Sequence, residues 1–181
     1  MIKRAVLLVV FIITLSNGQP AYAQDVSSAS AVVPTPVDYT LVYPGLLPDS
    51  PFYWLKTWRD KITGFFISGP LKKAEFDLLQ ADKHIQAAHL LVVQKKRRMD
   101  LVTKTLANTD YYFNQAIVKA GMAKQEGIDN REFLKKLKKA NLKYQQVLQE
   151  TEADISGSDK EIFVAEQKKL QRLADTVSEK K

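Results

Sequence analysis

The chain has 181 residues, with 27 Lys and Arg against 20 Asp and Glu, and a formal charge of +7. It contains no cysteine, which excludes disulfides, thiolate metal sites, a cysteine nucleophile and a lipidated cysteine. A hydrophobic content of 45% with 26% charged residues is enough to build a core, and the scarcity of Gly and Pro after residue 70 points to helices.

Lys3 and Arg4, the apolar run from Ala5 to Leu15 and the small-x-small triplet Ala21-Tyr22-Ala23 before Gln24 follow the order of a secretory signal. The apolar run is about half of the ~20 residues that a spanning helix needs. Cleavage between Ala23 and Gln24 is therefore expected, and an uncleaved N-terminal membrane anchor is the alternative. Loss of Lys3 and Arg4 lowers the charge to +5. A remaining excess of Lys suits contact with polyanions, and equally suits an ordinary soluble helical surface. Residues 24–38 (QDVSSASAVVPTPVD) read as a disordered linker, and Tyr39 to Leu47 (YTLVYPGLL) as an extended strap with a turn at Pro44-Gly45.

A first helix is expected over 50–66, with Asp49 or Ser50 as cap and Pro51 in the first turn. Leu55, Trp58, Ile62 and Phe65 recur at i, i+3, i+7 and i+10, an amphipathic stripe that predicts a lid packed on the bundle. The competing reading places Trp54 and Trp58 in a membrane interface. Ser68-Gly69-Pro70 ends this helix and opens the next, expected over 70–94. Leu71, Leu78, Ile85, Val92, Met99, Leu106 and Phe113 are spaced by seven and all apolar, a coiled-coil-like seam. Ala74, Ala81 and Ala88 beside it allow a close neighbour, and the lid is expected on that alanine-lined side.

Lys95 breaks the seam within Gln94-Lys95-Lys96-Arg97-Arg98. Residues in a helix turn by about 100° each, so four successive cations cannot share one face. Either a lysine stem snorkels or the cluster is a solvated turn between two helices, 70–94 and 99–125. The turn is favoured, and its Lys95, Lys96, Arg97 and Arg98 are the candidate contact for a polyanion. Gly127-Ile128-Asp129-Asn130 restarts the chain, with Asp129 or Asn130 as cap, into a helix over 130–155 with Phe133, Leu137, Ala140, Tyr144 and Val147 on its apolar face. Ser156-Gly157-Ser158-Asp159 precedes a last helix, 159–178, carrying Phe163, Leu170, Leu173 and Val177. The expected fold is all-α, an antiparallel bundle of four to five helices. Its divisions are a signal peptide (1–23), a linker (24–38), a helical domain (39–155) and a C-terminal helix (156–181).

Catalytic constellations are sparse. His84 and His89 are five apart and on different helix faces, so they suit a surface better than a metal site, which favours i,i+4 pairs. Glu75, Asp77 and Asp82 lack the Glu-x-x-His partners of di-iron bundles. Neither G-x-S-x-G, G-x-G-x-x-G nor a phosphate-binding loop occurs. No enzyme, cofactor or metal is expected. The basic run has no flanking aromatic residues, so no nucleic-acid partner is expected either.

The stretch LPDSPFYWLKTWRDKI, with PLKKAEFDLLQADKHIQAAHLL after it, resembles domain of unknown function 5667, a family of exported bacterial proteins. The likeness rests on Leu47 to Tyr53, Leu55, Lys56, Arg59 and Asp60. It returns at Lys73-Ala74-Glu75, Leu79, Ala81-Asp82-Lys83, Ile85 and Ala88, and extends over about residues 43–155. It implies an exported helical domain with a turn after the second helix, and brings no activity with it. This chain departs in having Gly69-Pro70 where Asp-Pro is frequent, and no Gly near Gln94. The expected function is an exported, non-catalytic module of the cell envelope that binds a protein or an anionic wall or lipid polymer. The alternative is a membrane-surface module using the aromatic helix and the basic turn. N-terminal sequencing of the exported protein should begin at Gln24; recovery of Met1 from the membrane fraction would establish the anchor instead.

Overall fold

A computed structural model describes residues 37–94 and 98–179, with side chains through Arg172. The expected signal peptide, its Ala23–Gln24 cleavage site and nearly all of the linker lie outside the described residues. Five helices follow in order: α1 (Tyr53–Phe66), α2 (Pro70–Val93), α3 (Met99–Gln125), α4 (Arg131–Ala153) and α5 (Ser158–Glu179). No strand occurs among the described residues. The all-α expectation holds, and 70–125 is two helices, with α2 ending at Val93 and α3 starting at Met99.

Helices α2 and α3 form the most extensive helix pair; α4 packs on α2, and α5 lies across α3 and α4. The heptad seam is the core of this bundle. Leu78, Ile85, Leu106 and Phe113 are buried, and Leu71, Val92 and Met99 pack at its edges. Ala74, Ala81 and Ala88 belong to the same core and are fully covered. Side chains that end at Cβ let helices of the bundle approach closely, so these alanines serve packing between bundle helices and leave no open groove for a lid. From α4 the core receives Phe133, Leu137, Ala140, Tyr144, Val147 and Leu148, and from α5 Phe163 and Leu170.

The α3–α4 corner shows how the termini are satisfied. Gly127, at φ 75°, lets its N–H reach Lys124 O at 3.1 Å while Ile128 N–H reaches Ala123 O at 2.9 Å, the paired bonds of a Schellman motif. Neither expected cap closes α4 in the usual way. Asn130 is buried and donates its Nδ2 to Ala120 O at 2.6 Å, tying the α4 start to α3. Asp129 accepts from Arg131 N–H at 3.1 Å. At α1 the helix begins three residues later than expected, because Ser50 is used in a turn: its Oγ accepts from Phe52 N–H at 3.4 Å and its carbonyl from Tyr53 N–H at 3.1 Å.

The strap before α1 is extended, as expected, with Gly45 at φ 70° in its turn. Tyr39, Leu41 and Leu47 pack on the core. A buried carboxylate holds it there. Asp82 of α2 accepts from Tyr39 Oη of the strap at 2.8 Å and from Tyr144 Oη of α4 at 2.7 Å, one oxygen each. A hydrogen bond to a charged group is worth about 1.5–3 kcal/mol, and a buried oxygen left bare costs a similar amount. Tyr39→Phe should therefore lower unfolding stability by about 1–3 kcal/mol in urea melts at pH 7. An unchanged midpoint would show that the strap is not held through Asp82.

Candidate functional site

Helix α1 presents two unlike faces, 180° apart. The outward face carries Trp54, Leu55, Trp58, Ile62, Phe65 and Phe66, all exposed, with Trp58 at 63% and Phe65 at 82%. This overturns the expected lid: Leu55, Trp58, Ile62 and Phe65 form the stripe that the spacing predicts, but they point away from the bundle. The inward face is Tyr53, Lys56, Asp60 and Gly64, at i, i+3, i+7 and i+11. Gly64 permits the approach, since a Cβ there would lie 3.0 Å from Phe76 Cε1. Lys56 is 7% exposed, donates Nζ to Leu46 O at 3.3 Å and lies 5.2 Å from the Tyr53 ring centre. Asp60 is bound by Arg59 at 2.8 Å and lies 3.9 Å from Lys83.

Between this face and the α2–α3 hairpin lies a cleft of about 440 Å³. Tyr53, Trp54, Phe76 and Tyr112 supply aromatic walls, and Gln80 and His84 line it from α2. Both residues are buried, with Gln80 3% and His84 8% exposed. Gln80 Nε2 and His84 Nδ1 have no hydrogen-bond partner among the described residues. The His84 ring stacks on Tyr112, centres 5.4 Å apart and planes 8° from parallel, which fixes the imidazole orientation. Burial, together with the positive charge of Lys56, lowers the His84 pKa to about 4, so the ring is neutral at pH 7.

The other histidine is not a free surface group either. His89 Nδ1 is 2.8 Å from Thr151 Oγ1 on α4. Burial of His84 thus corrects the expectation of surface histidines, although the two do lie on different helix faces. Of the basic run, Lys95, Lys96 and Arg97 lie outside the described residues. Arg98 is exposed, and its guanidinium makes a two-point pair with Asp100, at 3.0 and 2.9 Å. That pair occupies the cation proposed as a polyanion contact. Among the described residues no group of three or more His, Asp or Glu could hold a metal ion. Sequence reasoning missed Lys56, Gln80, His84 and Tyr112. The one available signal was the polar stripe Tyr53-Lys56-Asp60-Gly64 opposite the aromatic one.

The profile of a domain of unknown function, DUF5667, matches residues 45–159. The chain belongs to this family. The DUF5667 match runs from the strap through α4 to the first residues of α5, and so contains both faces of α1 and the whole cleft. No curated protein and no solved structure matches the chain.

Two buried groups of the DUF5667 domain oppose each other in acid. Burial raises the Asp82 pKa from 3.8 to about 6, against the hydrogen bonds from Tyr144 and Tyr39 that lower it. As pH falls through 6 toward 4, the folded chain takes up a proton there that the unfolded chain does not. Asp82 thus adds stability on acidification, in full below about pH 4. His84 does the reverse: the unfolded ring protonates from pH 6.5 down, the folded ring only near 4, so stability is lost over the same interval. Each effect is worth about 3 kcal/mol at its limit. Asp77 and Asp110, whose pKa values burial also raises, act with Asp82, so each variant is compared with the parent. Asp82→Asn should make stability fall more steeply from pH 6.5 to 4 than in the parent, and His84→Gln should make it rise. Urea midpoints that shift in parallel for all three chains would contradict both assignments.

Proposed function

We propose that this DUF5667 protein is an exported, non-catalytic contact module of the bacterial cell envelope, and that its contact is the aromatic face of α1 seated in the interfacial layer of an anionic membrane. The observation that carries this reading is the exposure of six large apolar side chains on one helix face while the opposite face is fixed to the bundle. Contiguous exposed apolar surface marks interaction sites, because burying it offers free energy that the fold has left unused. The two tryptophans suit the headgroup level, where an apolar ring with a polar N–H is favoured. Arg59 and Lys61 flank the face, and the chain's net charge is positive. That balance fits an anionic surface and opposes pairing of two copies through the same helix.

Export is supported by the order of Lys3-Arg4, the apolar run and Ala21-Tyr22-Ala23 at the N-terminus. No helix among the described residues is long and apolar enough to cross a membrane, so the domain's membrane contact would be made from the surface.

Co-sedimentation with phosphatidylglycerol and phosphatidylcholine vesicles, at low and high salt, tests the reading. Binding should favour anionic vesicles and weaken with salt. Full burial of such side chains is worth roughly 1.5–3 kcal/mol each. The double variant Trp58→Ala, Phe65→Ala should therefore lose about tenfold or more in partitioning. Its unfolding stability should stay within about 0.5 kcal/mol of the parent, as for other exposed positions. Absence of vesicle binding would move this face to a protein or wall-polymer partner. Strong destabilisation of the double variant would show that the face is packed after all.

A further inference from the structure

The cleft on the inward side of α1 has features that a packed interior lacks. Three of its buried polar groups have unmet hydrogen-bonding capacity. The Lys56 ammonium has three N–H groups, one protein acceptor at 3.3 Å and, among the described residues, no carboxylate within 4 Å. Gln80 Nε2 and His84 Nδ1 have no protein partner. Each unpaired buried group is costly, and an incompletely paired buried charge is the costliest of them. Native interiors pair such groups; a cluster of three facing one cleft is the pattern of a ligand site, an apolar cavity with a few convergent polar groups. The volume of about 440 Å³ admits a small molecule.

The chemistry of the lining narrows the ligand. Lys56, Lys61 and Lys104 line the cleft against a single acid, Asp60, which Arg59 already engages. The cleft therefore favours an anion. Gln80 Nε2 offers only hydrogens, whereas an imidazole nitrogen gives or takes one according to its tautomer. Hydroxyl groups, which both donate and accept, satisfy the two together. Tyr53 and Tyr112 present aromatic surface to the C–H groups of a ring. We infer that the cleft between α1 and the α2–α3 hairpin binds an acidic sugar, its carboxylate on Lys56 and its hydroxyls on Gln80 and His84. The carboxylate pairs directly with Lys56, whose acidic neighbour Asp60 is engaged by Arg59, and no covalent step is involved. Such a unit is either a free sugar acid or a residue of an acidic glycan chain. Trp54 and Lys61 border both the cleft and the vesicle-binding face, but Trp58 and Phe65 do not line the cleft, so the Trp58→Ala, Phe65→Ala variant tests the vesicle contact separately.

Titration calorimetry of the purified chain with sodium glucuronate, glucose and a uronate oligosaccharide tests the inference. Glucuronate should bind, with glucose at least about tenfold weaker, as expected for loss of one charge-assisted contact. Lys56→Met and Gln80→Leu should each weaken glucuronate binding by about tenfold or more. Gln80→Leu removes a buried amide nitrogen that has no partner among the described residues, so it should fold about as stably as the parent and serves as the control against unfolding. Tighter binding of the oligosaccharide identifies a glycan chain as the source, and equal binding a free sugar acid; both support the site. The inference is overturned if the parent binds neither acid, if glucose binds as tightly as glucuronate, or if a folded Gln80→Leu binds like the parent.

Discussion

A carboxylate inside a helical bundle has to be given donors, and much of this domain is arranged around that demand. Asp82 lies on α2, the helix with neighbours on most sides, where ionised oxygens without partners would cost several kcal/mol. Its two donors come from opposite directions in the sequence, Tyr39 before the helices and Tyr144 on α4. Tyr144 is itself buried and packs edge-on against Phe113 of α3, ring centres 5.4 Å apart. One side chain thereby joins α2, α4 and the strap, and reaches α3 through the ring. Together with the packed Leu41 and Leu47, it holds the strap from Tyr39 to Leu47 on the bundle. The strap in turn supplies Leu46 O, the acceptor for Lys56, which sets how α1 lies.

The orientation of α1 is the feature that ordinary stability would not select. A helix with a wide apolar stripe normally turns it inward, since each large side chain buried gains roughly 1.5–3 kcal/mol. Here Lys56 and Asp60 go inward and the apolar stripe goes out. Rotation by half a turn would require Gly64 to leave Phe76, where any Cβ-bearing residue would press on the ring, and Lys56 to release its carbonyl. Violations of a local rule are concentrated where a protein acts, because selection for contact outweighs selection for stability there. That is why the outward stripe and the cleft beneath it carry the functional argument, rather than the well-packed α2–α3 seam.

What the sequence disclosed divides along the same line. The seam from Leu71 to Phe113 was legible because spacing of apolar residues reports burial directly when both flanks are polar. The break near Gln94 was legible from geometry, since successive cations cannot share one helix face. The stripe Leu55-Trp58-Ile62-Phe65 was equally legible as a stripe, yet periodicity says only that one side differs from the other. Which side meets the bundle was decided by partners further along the chain: Phe76, Gln80, His84 and Tyr112. The expected caps failed for a related reason. Asn130 could have capped α4 locally, but its amide bonds Ala120 O on α3 instead, and the longer-range bond prevailed.

Helix α1 makes no extensive backbone packing with any other helix, so something besides a hydrophobic interface must hold it. Its chain ends do so. On one side the strap is fixed through Tyr39 and the packed Leu41 and Leu47; on the other, Gly69 at φ 87° passes directly into Pro70, the first residue of α2. A left-handed glycine followed by a proline with fixed φ leaves little freedom in the direction from which α1 approaches. With both ends held, weak polar contacts along the flank suffice to keep the helix in place, since the entropy of positioning it is already spent. The same arrangement explains how a cleft survives beneath it. A helix drawn down by apolar side chains would close that space, whereas one suspended between two anchors keeps it open.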